Sequence, residues 1–168
     1  IIFSFVLLAF TIIFLASILK GIIWAKTTLT KISFALISRF FVLNLIWMGF
    51  WFALVILISL LVEQASAPMF MLVAIITGLY FTNTLYTIFM KQQKLKTIFH
   101  AIKLNITKVH LFLVPYVVIF LVFFIVLRIS NILTFKYSQI LLGLIAIIYA
   151  AVVRYYVSTL VFEIDKLG

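Results

Sequence analysis

Long uncharged apolar runs constrain this chain more than any other feature of its sequence. Four of them contain no charged residue over seventeen or more positions: Ile1–Leu19, Phe41–Val62, Pro68–Met90 and Leu111–Leu127. The fifth run, Ile140–Phe162, carries Arg154 as its one charge. Because a helix needs roughly 20 apolar residues to cross the hydrocarbon core of a bilayer, the runs predict five transmembrane spans.

The membrane also decides the secondary structure of these spans. Backbone N–H and C=O groups find no water in lipid, so a spanning segment must satisfy them as a helix or a closed barrel. Barrel strands alternate apolar and polar residues, and Val117–Leu127 has no such alternation. With 68% hydrophobic and 10% charged residues, the chain is predicted to be all-α, a polytopic transmembrane helical bundle. The composition excludes an ordinary soluble enzyme and a disordered chain.

Two long connections between the spans, Lys20–Phe40 and Lys91–His110, are rich in lysine or arginine. In the second connection, apolar residues recur at the helical spacing of three and four: Leu95, Ile98, Phe99, Ile102, Ile106 and Val109. This pattern is typical of a helix that lies in the membrane interface. Because the first connection shows a looser version of the pattern, the sequence predicts two basic interfacial amphipathic helices.

The distribution of positive charge predicts the topology. The two basic connections contain Lys20, Lys26, Lys31, Arg39, Lys91, Lys94, Lys96, Lys103 and Lys108. The opposite side contains only Arg128 and Lys136. By the positive-inside rule, both basic connections and the C-terminus are predicted to be cytoplasmic. The chain is therefore expected to be an integral membrane protein.

The start of the chain and its internal order suggest how it is organised. The sequence begins without methionine inside an apolar run, so we interpret residues 1–168 as a single transmembrane domain from a longer chain, with a further span upstream. The order of span, basic segment and span occurs twice, in residues 1–62 and 68–127. A parallel repeat of these two segments is therefore a hypothesis.

The third span is the most polar one, and its polar residues are candidates for a functional site. They follow one another at short helical steps: Thr77, Tyr80, Asn83, Thr84 and Thr87. Such a stripe is expected to face other helices, either to hydrogen-bond with them or to line a substrate pathway. Arg154 in the last span either extends its long stem to the interface or contacts a ligand or headgroup inside the bundle.

The lysines of the basic connections are candidates for contacts with lipid headgroups. Each one near an anionic leaflet contributes about 1 kcal/mol of attraction. The candidates are Lys26, Lys31, Lys94, Lys96, Lys103 and Lys108. The alternative is that these connections only fix the topology. The expected partners are the lipid bilayer with its anionic headgroups, other membrane subunits or an upstream domain, and not nucleic acid.

Motifs for catalysis are missing from the sequence. It contains no HExxH, no Gly-rich phosphate loop and no pair of carboxylates within a span. It also contains no cysteine, which excludes a disulfide framework and a thiolate metal site. We therefore predict no cofactor and no catalytic or metal site in this segment, and we do not expect it to be an enzyme.

The alternation of Lys-rich segments with long apolar spans resembles that of a broad group of prokaryotic, often archaeal, multi-span membrane proteins. Residues 94–103, KLKTIFHAIK, illustrate the Lys-rich segments. The group includes relatives of the glycerophosphodiester phosphodiesterase membrane domain. The resemblance covers most of the chain and implies no catalytic residues. It also implies that the chain belongs to a prokaryotic cell membrane.

Three functions are consistent with the sequence. The first is a non-catalytic helical bundle that acts as a scaffold, an anchor or a partner subunit. The second is a transporter or permease-like module that uses the polar third span. The third is the membrane domain of a lipid-handling enzyme whose catalytic part lies outside this segment.

The predicted topology leads to a labelling experiment, which the absence of natural cysteines makes simple. We expect a membrane-impermeant maleimide to label Ser66→Cys in intact cells and to leave Lys94→Cys unlabelled until the cells are opened. The reason is that two adjacent connections must lie on opposite sides of the membrane. Labelling of Lys94→Cys in intact cells, with Ser66→Cys protected, would reverse the orientation.

Overall fold

The computed structural model describes residues 2–132 and 138–166, and within these residues the chain forms six α-helices and no strand. The helices are α1 (Ile2–Thr27), α2 (Phe34–Leu61), α3 (Ala67–Gln92), α4 (Thr97–Thr107), α5 (Val109–Ile132) and α6 (Ser138–Lys166). All but α4 are long and apolar enough to cross a membrane. The prediction of an all-α polytopic fold with five spans is confirmed. Lys136, which enters the charge comparison, lies outside the described residues.

The first basic connection differs from its prediction. The sequence predicts an interfacial helix within Lys20–Phe40, but residues 20–27 continue α1 and residues 34–40 begin α2. Residues 28–33 alone connect them, and α4 is the one short helix in the described part of the chain. The physical reason is that a lysine on a spanning helix can extend its apolar stem toward the interface. Lys20 and Lys26 therefore lie within α1 instead of ending it.

Local signals fix the helix ends around this connection. The N–H of Thr30 donates to the carbonyl of Ala25 at 2.8 Å and that of Leu29 to Lys26 at 3.2 Å, the paired bonds of a Schellman motif. Leu29 takes the left-handed position of the motif, with φ 55°. Ser33 then begins α2, because its hydroxyl accepts from the N–H of Leu36 at 3.2 Å.

The chain divides into two compact units, Ile1–Ala101 and Ile102–Gly168. The boundary falls within α4. The parallel repeat of residues 1–62 and 68–127 stays a hypothesis.

In the first unit, α1, α2 and α3 pack against one another through aromatic side chains. The ring of Tyr86 on α3 lies 5.8 Å from that of Trp24 on α1 and 4.9 Å from that of Phe40 on α2. Residues 84–90 of α3 are buried on every side of the helix. The core of this unit is therefore built around the last two turns of α3.

Gly21 lies at a close contact between α1 and α2. A Cβ atom added there would lie 3.1 Å from the Cδ1 atoms of both Ile37 and Phe40. A Cβ atom added to Gly49 on α2 would have no neighbouring atom within 4 Å. The two glycines thus offer a matched pair for testing the α1–α2 contact.

The second unit contains a simpler antiparallel pair. The hydroxyl of Tyr149 on α6 donates to the carbonyl of Ile119 on α5 at 2.7 Å, and the Tyr149 ring lies 5.8 Å from that of Phe123. Within the candidate spans Val109–Val126 and Gln139–Lys166, only 6% of the residues are buried. The corresponding share is 22% in the candidate spans of α1 and α3.

The Gly21 contact leads to a stability prediction. We expect Gly21→Val to destabilise the protein by about 1–3 kcal/mol, because the added methyl groups overpack a filled contact. Gly49→Val introduces the same side chain into open space and should leave stability close to that of the unmodified protein. Unfolding in mixed micelles measures both changes. Equal effects of the two substitutions would contradict the α1–α2 packing.

Candidate functional site

The principal polar feature of the first unit is a cluster of three side chains from three helices: Ser17 on α1, Asn44 on α2 and Tyr86 on α3. The Asn44 amide donates through Nδ2 to the Ser17 hydroxyl at 2.6 Å, and its Oδ1 accepts from the Tyr86 hydroxyl. Ser17 in turn donates to the carbonyl of Ile13 at 2.7 Å. We call these three residues the Asn44 cluster. It is enclosed, since none of its members is more than 3% exposed.

The sequence of α2 explains why Asn44 points into the core. Asn44 shares the buried stripe of α2 with Leu36, Phe40, Leu43 and Trp47, which recur at the helical spacing of three and four. One turn further along, Trp47 Nε1 donates to the hydroxyl of Thr82 on α3 at 2.8 Å. Polar bonds from one face of α2 therefore reach both neighbouring helices.

The chemistry of the Asn44 cluster is that of a structural contact. Its members carry an amide, an alcohol and a phenol, which are uncharged at neutral pH. The amide donates to Ser17 and, at 3.4 Å, to Met48 Sδ on its own helix, and it accepts from Tyr86. Because Asn44 is fully buried, these groups are shielded from a solute. Within the described residues, no group of three His, Asp or Glu side chains is arranged to hold a metal ion.

The structure separates the predicted stripe of α3 into two groups. Thr84 and Thr87 are fully buried, whereas Thr77, Tyr80 and Asn83 are half-buried. The hydroxyls of Thr84 and Thr87 donate to the carbonyls of Tyr80 and Asn83, at 3.5 and 2.8 Å. These bonds lie within α3, as is common for hydroxyls in helices. Two hydrogen bonds between α2 and α3 involve residues outside the predicted stripe: Thr82, which accepts from Trp47, and Tyr86, which donates to Asn44.

The remaining predicted residues lie elsewhere. Arg154 is half-buried on α6 and belongs to the second unit, whereas α3 belongs to the first. The lysines proposed to contact headgroups are exposed in five cases and half-buried at Lys108. The exposed ones are Lys26, Lys31, Lys94, Lys96 and Lys103.

Five contact residues were not predicted from the sequence: Ser17, Asn44, Trp47, Thr82 and Tyr86. A signal for Asn44 was available, because it is the one amide in the apolar run Phe41–Val62. An amide at membrane depth is costly unless it is hydrogen-bonded, so it must face a polar partner. Ser17 gives no comparable signal, because a serine can bond to its own helix.

A groove between α2 and α3 is apolar, in contrast to the Asn44 cluster. It has a volume of about 200 Å³ and is lined by Trp51, Val55, Ala74, Ile75, Gly78, Leu79 and Thr82. Trp51 packs against Gly78, where an added Cβ would lie 3.4 Å from the indole ring. The lining is almost entirely apolar, so the groove does not resemble an aqueous path.

Comparison of the chain with models of protein families, with curated proteins and with solved structures finds no match.

The Asn44 cluster predicts a measurable coupling between α2 and α3. We expect Tyr86→Phe and Asn44→Leu each to destabilise the protein, and the double variant to lose less than the sum. The coupling should be about 0.6–1.7 kcal/mol, the range for hydrogen bonds between membrane helices. Unfolding in mixed micelles gives the three free energies.

Thr87→Val is the control, because the Thr87 hydroxyl is equally buried but bonds within α3. It should cost much less than Tyr86→Phe. Additive losses for Tyr86→Phe and Asn44→Leu would show that the bond between these two side chains contributes nothing.

Proposed function

We propose that the chain acts as a closed helical membrane module that anchors an associated membrane subunit, or a domain of a longer chain, at the bilayer. The observation that carries this proposal is the Asn44 cluster. A transport path needs polar groups that remain available to a solute and to water. In the first unit, the amide of Asn44 instead bonds to Ser17, Met48 and Tyr86, and Asn44 itself is fully buried.

The second unit supports the anchoring part of the proposal. Val157, Ser158, Val161 and Ile164 form a buried stripe near the end of α6, but most of α5 and α6 is exposed. Ile147, for example, is 67% exposed. Without a hydrophobic driving force in lipid, helices associate through close packing, and these exposed surfaces are available for packing with helices of a partner.

The closed core leads to an accessibility experiment. Ser17→Cys places a thiol of nearly the same size in the Asn44 cluster, in a chain without natural cysteines. We expect a charged methanethiosulfonate reagent, added to both sides of the membrane, to leave this thiol unmodified until the protein is unfolded in detergent. The thiolate is the form that attacks such reagents, displacing methanesulfinate, and a thiol needs water nearby to ionise. Ser66→Cys, at an exposed position, is the control that should react at once.

Rapid modification of Ser17→Cys in the folded protein would contradict the closed core and favour a polar pathway. The anchoring part is tested separately with a photo-reactive residue at Ile147. We expect a discrete protein adduct in cells. Adducts with lipid alone would contradict the role as a partner subunit.

A further inference from the structure

Three helix ends of the first unit meet at the same place. The hydroxyl of Thr30, in the connection after α1, donates to the carbonyl of Met90 near the end of α3 at 3.4 Å. Arg39 Nη1 on α2 donates to the carbonyl of Gln93 just beyond α3, also at 3.4 Å. The end of α1, the start of α2 and the end of α3 therefore lie together.

This juxtaposition concentrates positive charge. Lys31 follows Thr30, Lys91 follows Met90 and Lys94 follows Gln93 in the sequence. We call this region, with its six exposed cations, the basic end: Lys26, Lys31, Arg39, Lys91, Lys94 and Lys96. The sole acidic residue among residues 1–101 is Glu63, which follows the opposite end of α2. Lys31, Arg39 and Lys94, on which the inference rests, therefore have no carboxylate of their own unit beside them.

Two apolar side chains stand out among these cations. Leu29 is 91% exposed and Phe34 is 90% exposed. Leu29 also occupies a left-handed backbone conformation, with φ 55°, which favours glycine. An almost fully exposed leucine in a strained position has no contact within the described structure that accounts for it. Its position at the level where three spans leave the membrane points to the lipid interface.

We propose that the basic end binds anionic phospholipid of one leaflet. Lys31 and Lys94 contact the phosphates, and Arg39 offers the guanidinium donors that Gln93 does not use. Leu29 and Phe34 enter the acyl boundary beside them. Charge complementarity selects an anionic lipid, and the two apolar side chains favour a lipid surface over an acidic protein segment. The inference does not depend on the proposed function, because it concerns a different region and a different ligand.

The test measures lipid binding by the purified full chain with native mass spectrometry. The probes are dioleoylphosphatidylglycerol and dioleoylphosphatidylcholine, which have the same acyl chains. We expect the anionic lipid to bind more tightly. We further expect Lys31→Gln with Lys94→Gln to weaken its binding about 30-fold, from about 1 kcal/mol for each lysine. Arg39 is left in place, since it also holds the carbonyl of Gln93.

The matched control is Arg128→Gln with Lys166→Gln, which removes the same charge from exposed positions of the second unit. This pair should keep the preference for phosphatidylglycerol. Equal affinity for the two lipids, or an equal loss in the control pair, would overturn the proposal. Displacement of bound phosphatidylglycerol by glycerol 1-phosphate or by a polyglutamate peptide would also overturn the proposal, if it occurs at the concentration at which the lipid saturates its site.

Leu29→Gly separates a lipid contact from a structural role. Glycine suits the left-handed position, so this variant should unfold at the same temperature as the unmodified chain or at a higher one. Because the apolar side chain is lost, binding of phosphatidylglycerol should weaken about tenfold. Unchanged lipid binding in this variant would overturn the part assigned to Leu29.

Discussion

The need to satisfy an amide inside lipid is the constraint on which the packing of the first unit depends. Asn44 lies within a span that offers it no water, so its donor and acceptor must find partners in other helices. Ser17 and Tyr86 supply them from α1 and α3. Because both bonds converge on one side chain, they fix the position of three helices relative to one another. The aromatic contacts of Tyr86 with Trp24 and Phe40 lie next to this point.

The sequence was sufficient to predict which segments span the membrane, but not the residues at which the helices end. Hydropathy reports which residues sit at membrane depth, and five runs of suitable length identified all five long helices. It does not report where a helix stops, because a lysine can lie on a spanning helix and still reach the interface. The end of α1 is set instead by backbone bonds from Leu29 and Thr30. Leu29 gives no sequence signal for this role, since glycine is the usual residue there.

The candidate site illustrates a difference between hydroxyls and amides. Counting polar residues drew attention to α3, where Thr84 and Thr87 are indeed buried. The hydroxyl of Thr87 is satisfied by a carbonyl of the same helix, so its presence says little about neighbouring helices. A side-chain amide has both donors and acceptors and needs partners further away. A lone asparagine in an apolar run, such as Asn44, is therefore a better indicator of an interhelical contact than several threonines.

The closed interior directs attention to the surfaces of the first unit. The Asn44 cluster uses its own polar groups, and the proposed lipid binding places recognition by this unit at its basic end. A leucine in the left-handed conformation costs roughly 1–2 kcal/mol relative to a helical one. The cap of α1 would form more easily with glycine at position 29. Burial of a leucine side chain contributes about 1.5–3 kcal/mol, enough to offset that cost. The strain at Leu29 is thus explained if the side chain is buried in the acyl boundary of the membrane.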